Sequence, residues 1–346
     1  MHNHYNHAVL VYSARFGLFN IGDYIQSLAA MQFLDAGACI FVNRERLDTG
    51  IREPARIILN GWFMHEPEHW PPAPCFIPLL ISFHANASVL DAILSPEGIA
   101  YLRTHGPVGC RDHGTLRALR SAGVEAYFSG CLTLTLGDSH GAQPKTRGAL
   151  FVDPYMEYDR RPGGLFRTFL HALRHPVATD RIAGKREGRR GIRSLRRAAA
   201  FLAVYGSVFE TELLMTAGYL THEMREKDFT TEEQKLDRAR ELLRAYSGAS
   251  LVVTSRIHCA LPCLGMNTRV MYVNNTDQSE RSECRLGGII ELFNVIDYTH
   301  DALVVRFDHD SPVGLSSAPE NGTGHVGLAE ALRNACRNFI AGHGAG

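Results

Sequence analysis

Short apolar runs and helically spaced apolar positions alternate along the first 130 residues. Residues 8–13 (AVLVYS) have the continuous apolar character of a buried strand. From 23 to 34 the apolar side chains fall at Ile25, Leu28, Ala29 and Phe33, which is one face of a helix. Residues 39–42, 56–59 and 79–83 are strand-like. Residues 96–104 form a helical pattern with Ser95 as N-cap and Pro96 at the first helical position. Strand 108–110, helix 114–122 and strand 126–129 follow. Strands alternating with helices predict βαβ units on a parallel sheet.

The polar stretch GDSHGAQPKT, between Leu136 and Arg147, is the best linker candidate. The alternation then resumes. Strands are predicted at 149–152, 251–254 and 270–273, with a strand end at YLTH, 219–222. Residues 210–216 form a further ordered segment, and 287–293 a short helix. The clearest helix spans 231–246: Thr231 and Gln234 make a capping box, and Leu236, Ala239, Leu242, Leu243 and Tyr246 line one face. A last amphipathic pattern, 328–340, has the length to cross back onto the first half. Pro262 fits only the first turn of the helix after strand 251–254. The fold class expected is α/β, with domains at 1–140 and 148–320 and a C-terminal helix within 325–346.

Residues 159–197 break the pattern. From Arg181 to Arg197 there are eight Lys or Arg and one acid, Glu187. This is either a solvated loop with a basic helix or a peripheral contact for an anionic membrane surface. The chain as a whole is balanced, with 36 Lys+Arg and 36 Asp+Glu, so no global field recruits nucleic acid. A bound anion must then be held by local arginines. A length of 346 residues favours two cores over one. The first apolar run is too short for a leader, and no run approaches the ~20 apolar residues of a membrane helix, so the expected location is cytoplasmic. Eight cysteines without a C-x-x-C pair are expected to pack as small hydrophobes.

The chemistry concentrates in LVVTSRIHCALPCLG, 251–265. A buried strand ends in Thr254-Ser255, and Arg256 and His258 stand where the next helix begins. Open α/β sheets bind ligands at the carboxyl ends of their strands. A guanidinium fork and a titratable imidazole there suit a small phosphorylated or carboxylated substrate. Cys259 is adjacent to His258 and points elsewhere, so no metal site is expected. The same logic recurs in VGCRD, with Arg111 and Asp112 after strand 108–110. It recurs in NIGD, where Asn20 and Gly22 offer a backbone cradle and Asp23 is a helix cap or a base. The Gly17–Gly22 spacing is not that of a dinucleotide fingerprint. Arg281 and Arg285 follow the strand at 270–273 and could complete an anion clamp.

Together NIGDYIQSLAA, GCRDHGTLRALRSAGVEAYFSGCLTLTL and VVTSRIHCALPCLGMNTRVMYV resemble the polysaccharide pyruvyl transferase family, in order and spacing, over residues 8 to about 300. The resemblance implies two Rossmann-like domains facing a cleft, a glycosyltransferase B-type architecture, with the acceptor side on the first domain and the donor side on the second. It implies transfer of the enolpyruvyl carbons of phosphoenolpyruvate onto a sugar, giving a pyruvate ketal and phosphate. By that resemblance Arg256 and His258 are donor-site residues and Arg111 lies in the family's R-D motif. Arg285 stands at a late basic position that is commonly lysine. NGWF, 60–63, and SFH, 82–84, look like cleft residues of a subgroup.

Phosphoenolpyruvate carries two anionic groups, and burying them unpaired is prohibitive, so two or three cations are needed. Arg256, Arg111 and Arg285 can supply them, with Ser255 beside them. His258 is the expected acid, and Asp23 or Asp112 the base. No cofactor is needed beyond the donor substrate itself. For a glycan or lipid-linked saccharide acceptor, Trp62 can stack on a sugar face, with Asn60, His84 and His222 as polar contacts. Two other readings stay open: a nucleotide-sugar glycosyltransferase of the same architecture, and a non-catalytic glycan-binding relative.

Overall fold

The computed structural model describes residues 6–34, 39–63, 65–140, 144–145, 147–158, 162–188, 191–276, 286–300, 302–309 and 312–342. The first half carries strands β1 (Asn6–Val11), β2 (Leu18–Asn20), β3 (Cys39–Asn43), β4 (Ala55–Ile58), β5 (Trp62–Phe63), β6 (Phe76–Leu79), β7 (His84–Ala85), β8 (Val108–Cys110) and β9 (Ala126–Phe128). Its helices are α1 (Ile21–Met31), α2 (Leu90–Ile93), α3 (Pro96–Thr104) and α4 (His113–Ser121). The second half carries β10 (Arg147–Val152), β11 (Gly218–Leu220), β12 (Glu223–Arg225), β13 (Ala249–Thr254), β14 (Val270–Asn275), β15 (Asn294–Thr299) and β16 (Ala302–Val305). Its helices are α5 (Pro162–Arg174), α6 (Pro176–Glu187), α7 (Ile192–Tyr205), α8 (Thr211–Thr216), α9 (Glu232–Ser247), α10 (Ile257–Gly265) and α11 (His325–Ala341).

The fold is mixed α/β with parallel sheets. The first is ordered β3-β1-β4-β6, and the parallel pair β8–β9 extends it through a bridge from Phe83 to Cys110. The second is ordered β11-β10-β13-β14-β15-β16, parallel except for the antiparallel edge strand β16. In each sheet the chain winds one way from a central strand and then the other. The switch points fall between β1 and β4 and between β10 and β13, where crevices open at the strands' carboxyl ends.

The two sheets share apolar packing. One core runs from the first sheet through α1 into α9, α10 and the near face of the second sheet; another fills the far face beneath α6 to α8. The halves are stitched at several points. Antiparallel β2 and β12 pair across them, and Tyr24 donates to Glu232 at 2.6 Å. Helix α10 packs against a 3-10 turn at Leu132–Gly137. A Cβ on Gly137 would stand 1.9 Å from the Gly265 carbonyl oxygen, so only glycine permits that backbone contact. Helix α11 returns to the first half: Arg333 bonds Asp138 at 2.6 Å and Arg56 reaches the Ile340 carbonyl. None of the described helices is long and apolar enough to cross a membrane.

Most predicted elements appear within a few residues, and the differences have local causes. Helix α1 begins at Ile21, because Asn20 caps it by accepting from the Gly22 amide at 3.0 Å; Asp23 is therefore not the cap. The strand expected at 79–83 is β6, ending at Leu79, followed by a crossing at Ser82 (φ 52°). Helix α10 begins at Ile257, so Pro262 sits in its second turn and has no N–H to return to the His258 carbonyl. The helix tolerates this because it is short and otherwise fully packed. Residues 162–205 form three helices instead of a solvated loop and one helix. At 290–292 the helix is a single 3-10 turn, and β15 and β16 were not foreseen.

Candidate functional site

Both switch points open onto one cavity. It is lined by Asn20, Trp62, Arg111, His222, Ser255, Arg256, Ile257, His258 and Tyr272. Asn20 ends β2, Trp62 begins β5 beyond β4, and Arg111 follows β8. His222 lies between β11 and β12, and Ser255 to His258 join β13 to α10. Seven of the nine are residues singled out from the sequence; Ile257 and Tyr272 are additions.

The cations come from opposite halves. Arg111 is a buried guanidinium of the first half, its Nε 4.0 Å from Asp112. Arg256 occupies the position before the first turn of α10. Its Nε donates to Asp153 at 2.9 Å, and among the described residues its two terminal nitrogens bond no other group. Asp153 therefore aims the open end of the fork. It takes a left-handed backbone conformation (φ 40°) and also accepts the His222 amide at 2.8 Å. Strain of this kind persists where surrounding bonds over-determine it, and it clusters at functional sites. Asp153 was not among the expected site residues, although a lone acid directly after a buried strand (FVD) is a visible signal.

Two imidazoles close the cavity's inner side. His258 is buried in the first turn of α10, and His222 is buried opposite. His222 Nε2 shares a hydrogen with the Tyr246 hydroxyl at 2.7 Å, and its Nδ1 has no partner among the described residues. Both side chains pack close to α1 at Gly22, His222 through its ring and His258 through its Cβ. A Cβ there would meet Asn20 Oδ1 and His222 Nδ1 at 3.1 Å and His258 Cβ at 3.2 Å. Gly22→Ala therefore has opposed effects: helix propensity gains up to ~1 kcal/mol, and overpacking costs ~1–3 kcal/mol. The expected result is a small loss of thermal stability with turnover down about tenfold or more, because the imidazoles are displaced. Unchanged turnover in that variant would show that the ring positions do not matter.

Of the other expected site residues, Asp112, His84 and Asn60 support the wall without lining it, and Ser255 lines the cavity with its hydroxyl already engaged. Asp112 caps α4 by accepting from the Thr115 amide at 2.8 Å, and it holds His84 Nδ1 at 2.5 Å. Burial alone would raise its carboxyl; the His84 hydrogen bond, Arg111 and the Thr115 amide together take it below the ordinary value. His84 in turn backs Trp62, ring centroids 5.7 Å apart. Asn60 is buried and donates to the Gln26 carbonyl at 2.9 Å, tying β4 to α1. The Ser255 hydroxyl bonds the Val273 carbonyl and the Tyr155 amide, both at 2.7 Å, so it staples β13 to its neighbours. Cys259 turns away from the cavity into the core beside Tyr246 and His222. Arg285, with Arg281, lies outside the described residues.

Asp23, the second residue after Ile21, is within electrostatic reach of Arg44, Arg111 and His222 and is not one of the residues lining the cavity. Gln26 donates to its Oδ1 at 3.1 Å, and Oδ2 has no bonded partner among the described residues. Burial raises its pKa above the ordinary 3.8, against the pull of Arg44 and Arg111. A carboxylate so raised and half open is suited to accept a proton.

The profile of the family described as Polysaccharide pyruvyl transferase matches residues 20–277. The chain belongs to the polysaccharide pyruvyl transferase family. No curated protein matches it significantly. The pyruvyl transferase match begins at Asn20 and closes just beyond Tyr272, so every cavity-lining residue falls inside it. Family membership and cavity thus converge on the same stretch of chain.

Proposed function

We propose that this pyruvyl transferase family member moves the enolpyruvyl group of phosphoenolpyruvate onto two hydroxyls of a sugar in a polysaccharide or its precursor, forming a ketal and releasing phosphate. The observation that carries this reading is the convergence of Arg111 and Arg256, from opposite halves, on one cavity with two histidines. Two separated guanidiniums match a donor with separated phosphate and carboxylate groups. Arg285 is a third candidate cation by resemblance. The two sheets are read as the domains of a glycosyltransferase B-type architecture, divided at 1–140 and 148–320, with α11 returning to the first.

His258 protonates the donor's methylene carbon, leaving a cationic centre at the adjacent carbon that a sugar hydroxyl attacks. Asp23 takes the proton from that hydroxyl. The bond to the phosphate oxygen then breaks, and a second hydroxyl adds and gives up its proton as the ring closes. One hydroxyl proton balances the new methyl group, and the other leaves with phosphate. Asp112, with both oxygens engaged, positions His84 and the Arg111 loop and is not the base in this reading. Trp62 offers its face to the sugar ring.

The deciding measurement incubates the protein with phosphoenolpyruvate or a UDP-sugar and candidate glycans, following phosphate and UDP. Phosphate release that depends on the glycan is expected. UDP release without phosphate would replace this reading with glycosyl transfer, and glycan binding with neither product would point to a binding protein. Arg256→Lys is expected to weaken donor binding about tenfold, because lysine cannot form the two-pronged bond. Titration of phosphoenolpyruvate checks it, and an unchanged affinity would remove Arg256 from the donor clamp.

A further inference from the structure

Helix α5 turns its most apolar arc to solvent. Phe166, Phe169 and Leu173 recur at i, i+3 and i+7, which places them on one face. They are 64%, 59% and 62% exposed, and Val177 at the start of α6 is 63% exposed. Single exposed apolar residues need no explanation, whereas four large ones within twelve positions mark a contact surface. Helix α5 rests on α7, and α7 on α6, so the stripe stands on a packed layer.

The charge around this stripe has one sign. Residues 162–197 contain ten Lys or Arg against Asp180 and Glu187, in a chain whose total charges cancel. Three of these cations are engaged in the fold: Lys185 holds the Thr216 and Ala217 carbonyls, Arg186 stacks over the Phe201 ring at 4.2 Å, and Arg197 pairs with Glu187 at 3.2 Å. Arg174, Arg181, Arg193 and Arg196 are exposed and form no ion pair among the described residues. Arg174 closes α5 and Arg181 follows Val177 by one turn, so both flank the stripe.

We propose that α5 and the start of α6 dock the protein on an anionic lipid bilayer. The four apolar side chains enter the boundary between headgroups and acyl chains, and the arginines meet headgroup phosphates. A second copy of the chain fits less well, because a two-fold contact would bring the same arginines face to face. The docking surface is separate from the transfer chemistry, since none of its residues lines the cavity. The basic segment expected at 181–197 supplies charge, and the apolar anchor precedes it.

The test is vesicle co-sedimentation of the full chain, with equal phosphatidylglycerol and phosphatidylcholine or with phosphatidylcholine alone. Binding is expected to the anionic vesicles and to weaken with salt. The triple variant Phe166→Ser, Phe169→Ser, Leu173→Ser is expected to bind about tenfold more weakly or worse. The pair Arg174→Glu, Arg181→Glu is expected to lose the preference for phosphatidylglycerol. Circular dichroism and glycan-dependent phosphate release check that both variants stay folded. No binding by the unaltered chain, or equal binding by the triple variant, overturns the proposal. So does an unaltered dimer that becomes a monomer in the triple variant without binding vesicles.

Discussion

Replacing His258 with alanine is expected to lower turnover by about 10²–10⁴-fold, the usual worth of a positioned proton donor. The imidazole borders a cavity that already opens to solvent, so its removal leaves little new void and the melting temperature should barely move. A structural role predicts the reverse, a lowered melting temperature with turnover falling only as the folded fraction falls. The pH profile separates the two further. If His258 is the acid, the high-pH limb of kcat reports its loss of a proton, and the residual activity of His258→Gln should lack that limb. Full activity in His258→Ala would remove the histidine from the mechanism.

Asp23→Asn is expected to separate function from stability. Loss of the proposed base should lower turnover by about 10²–10⁴-fold. Stability should move the other way at neutral pH. Asp23's folded pKa lies above its ordinary value of 3.8, so burial outweighs the attraction of Arg44 and Arg111. A raised group stabilises fully below its unfolded pKa, and that contribution is lost as pH rises through the folded pKa. The asparagine variant escapes this loss and can still accept from Gln26. Thermal melts should therefore coincide at low pH and separate in favour of the variant as pH rises. A variant that is less stable at every pH, with undiminished turnover, would make Asp23 a structural counter-ion to Arg44 and Arg111.

The local grammar of the chain made much of this structure legible. Ser95, Thr231 and the apolar runs at 108–110 and 251–254 mark their elements because caps and buried strands depend on neighbours in sequence. Arg111, Arg256 and His258 were legible because a polar residue at the end of a buried strand has few reasons to be there. Asn60, His84 and Ser255 were expected in the cleft for the same reason. They proved to be bonded to backbone or to other residues of the wall, which depends on distances no spacing encodes. Asp153 and Tyr246 escaped for the converse reason: their importance lies in partners 103 and 24 residues away, Arg256 and His222. The exposed face of α5 escaped because a helical apolar stripe looks the same in sequence whether it is covered or bare.

The contacts that join the halves also govern how the protein comes into being. Tyr24 waits for Glu232, 208 residues further along, and Gly137 for Gly265. A nascent chain that has emerged only through the first sheet holds Asn20, Trp62 and Arg111 beside an uncovered apolar surface, with no opposite wall. The last side chain of that wall, Tyr272, emerges when about four fifths of the chain has been made. Fragments that end earlier lack the site, and they are natural clients for chaperones or proteases.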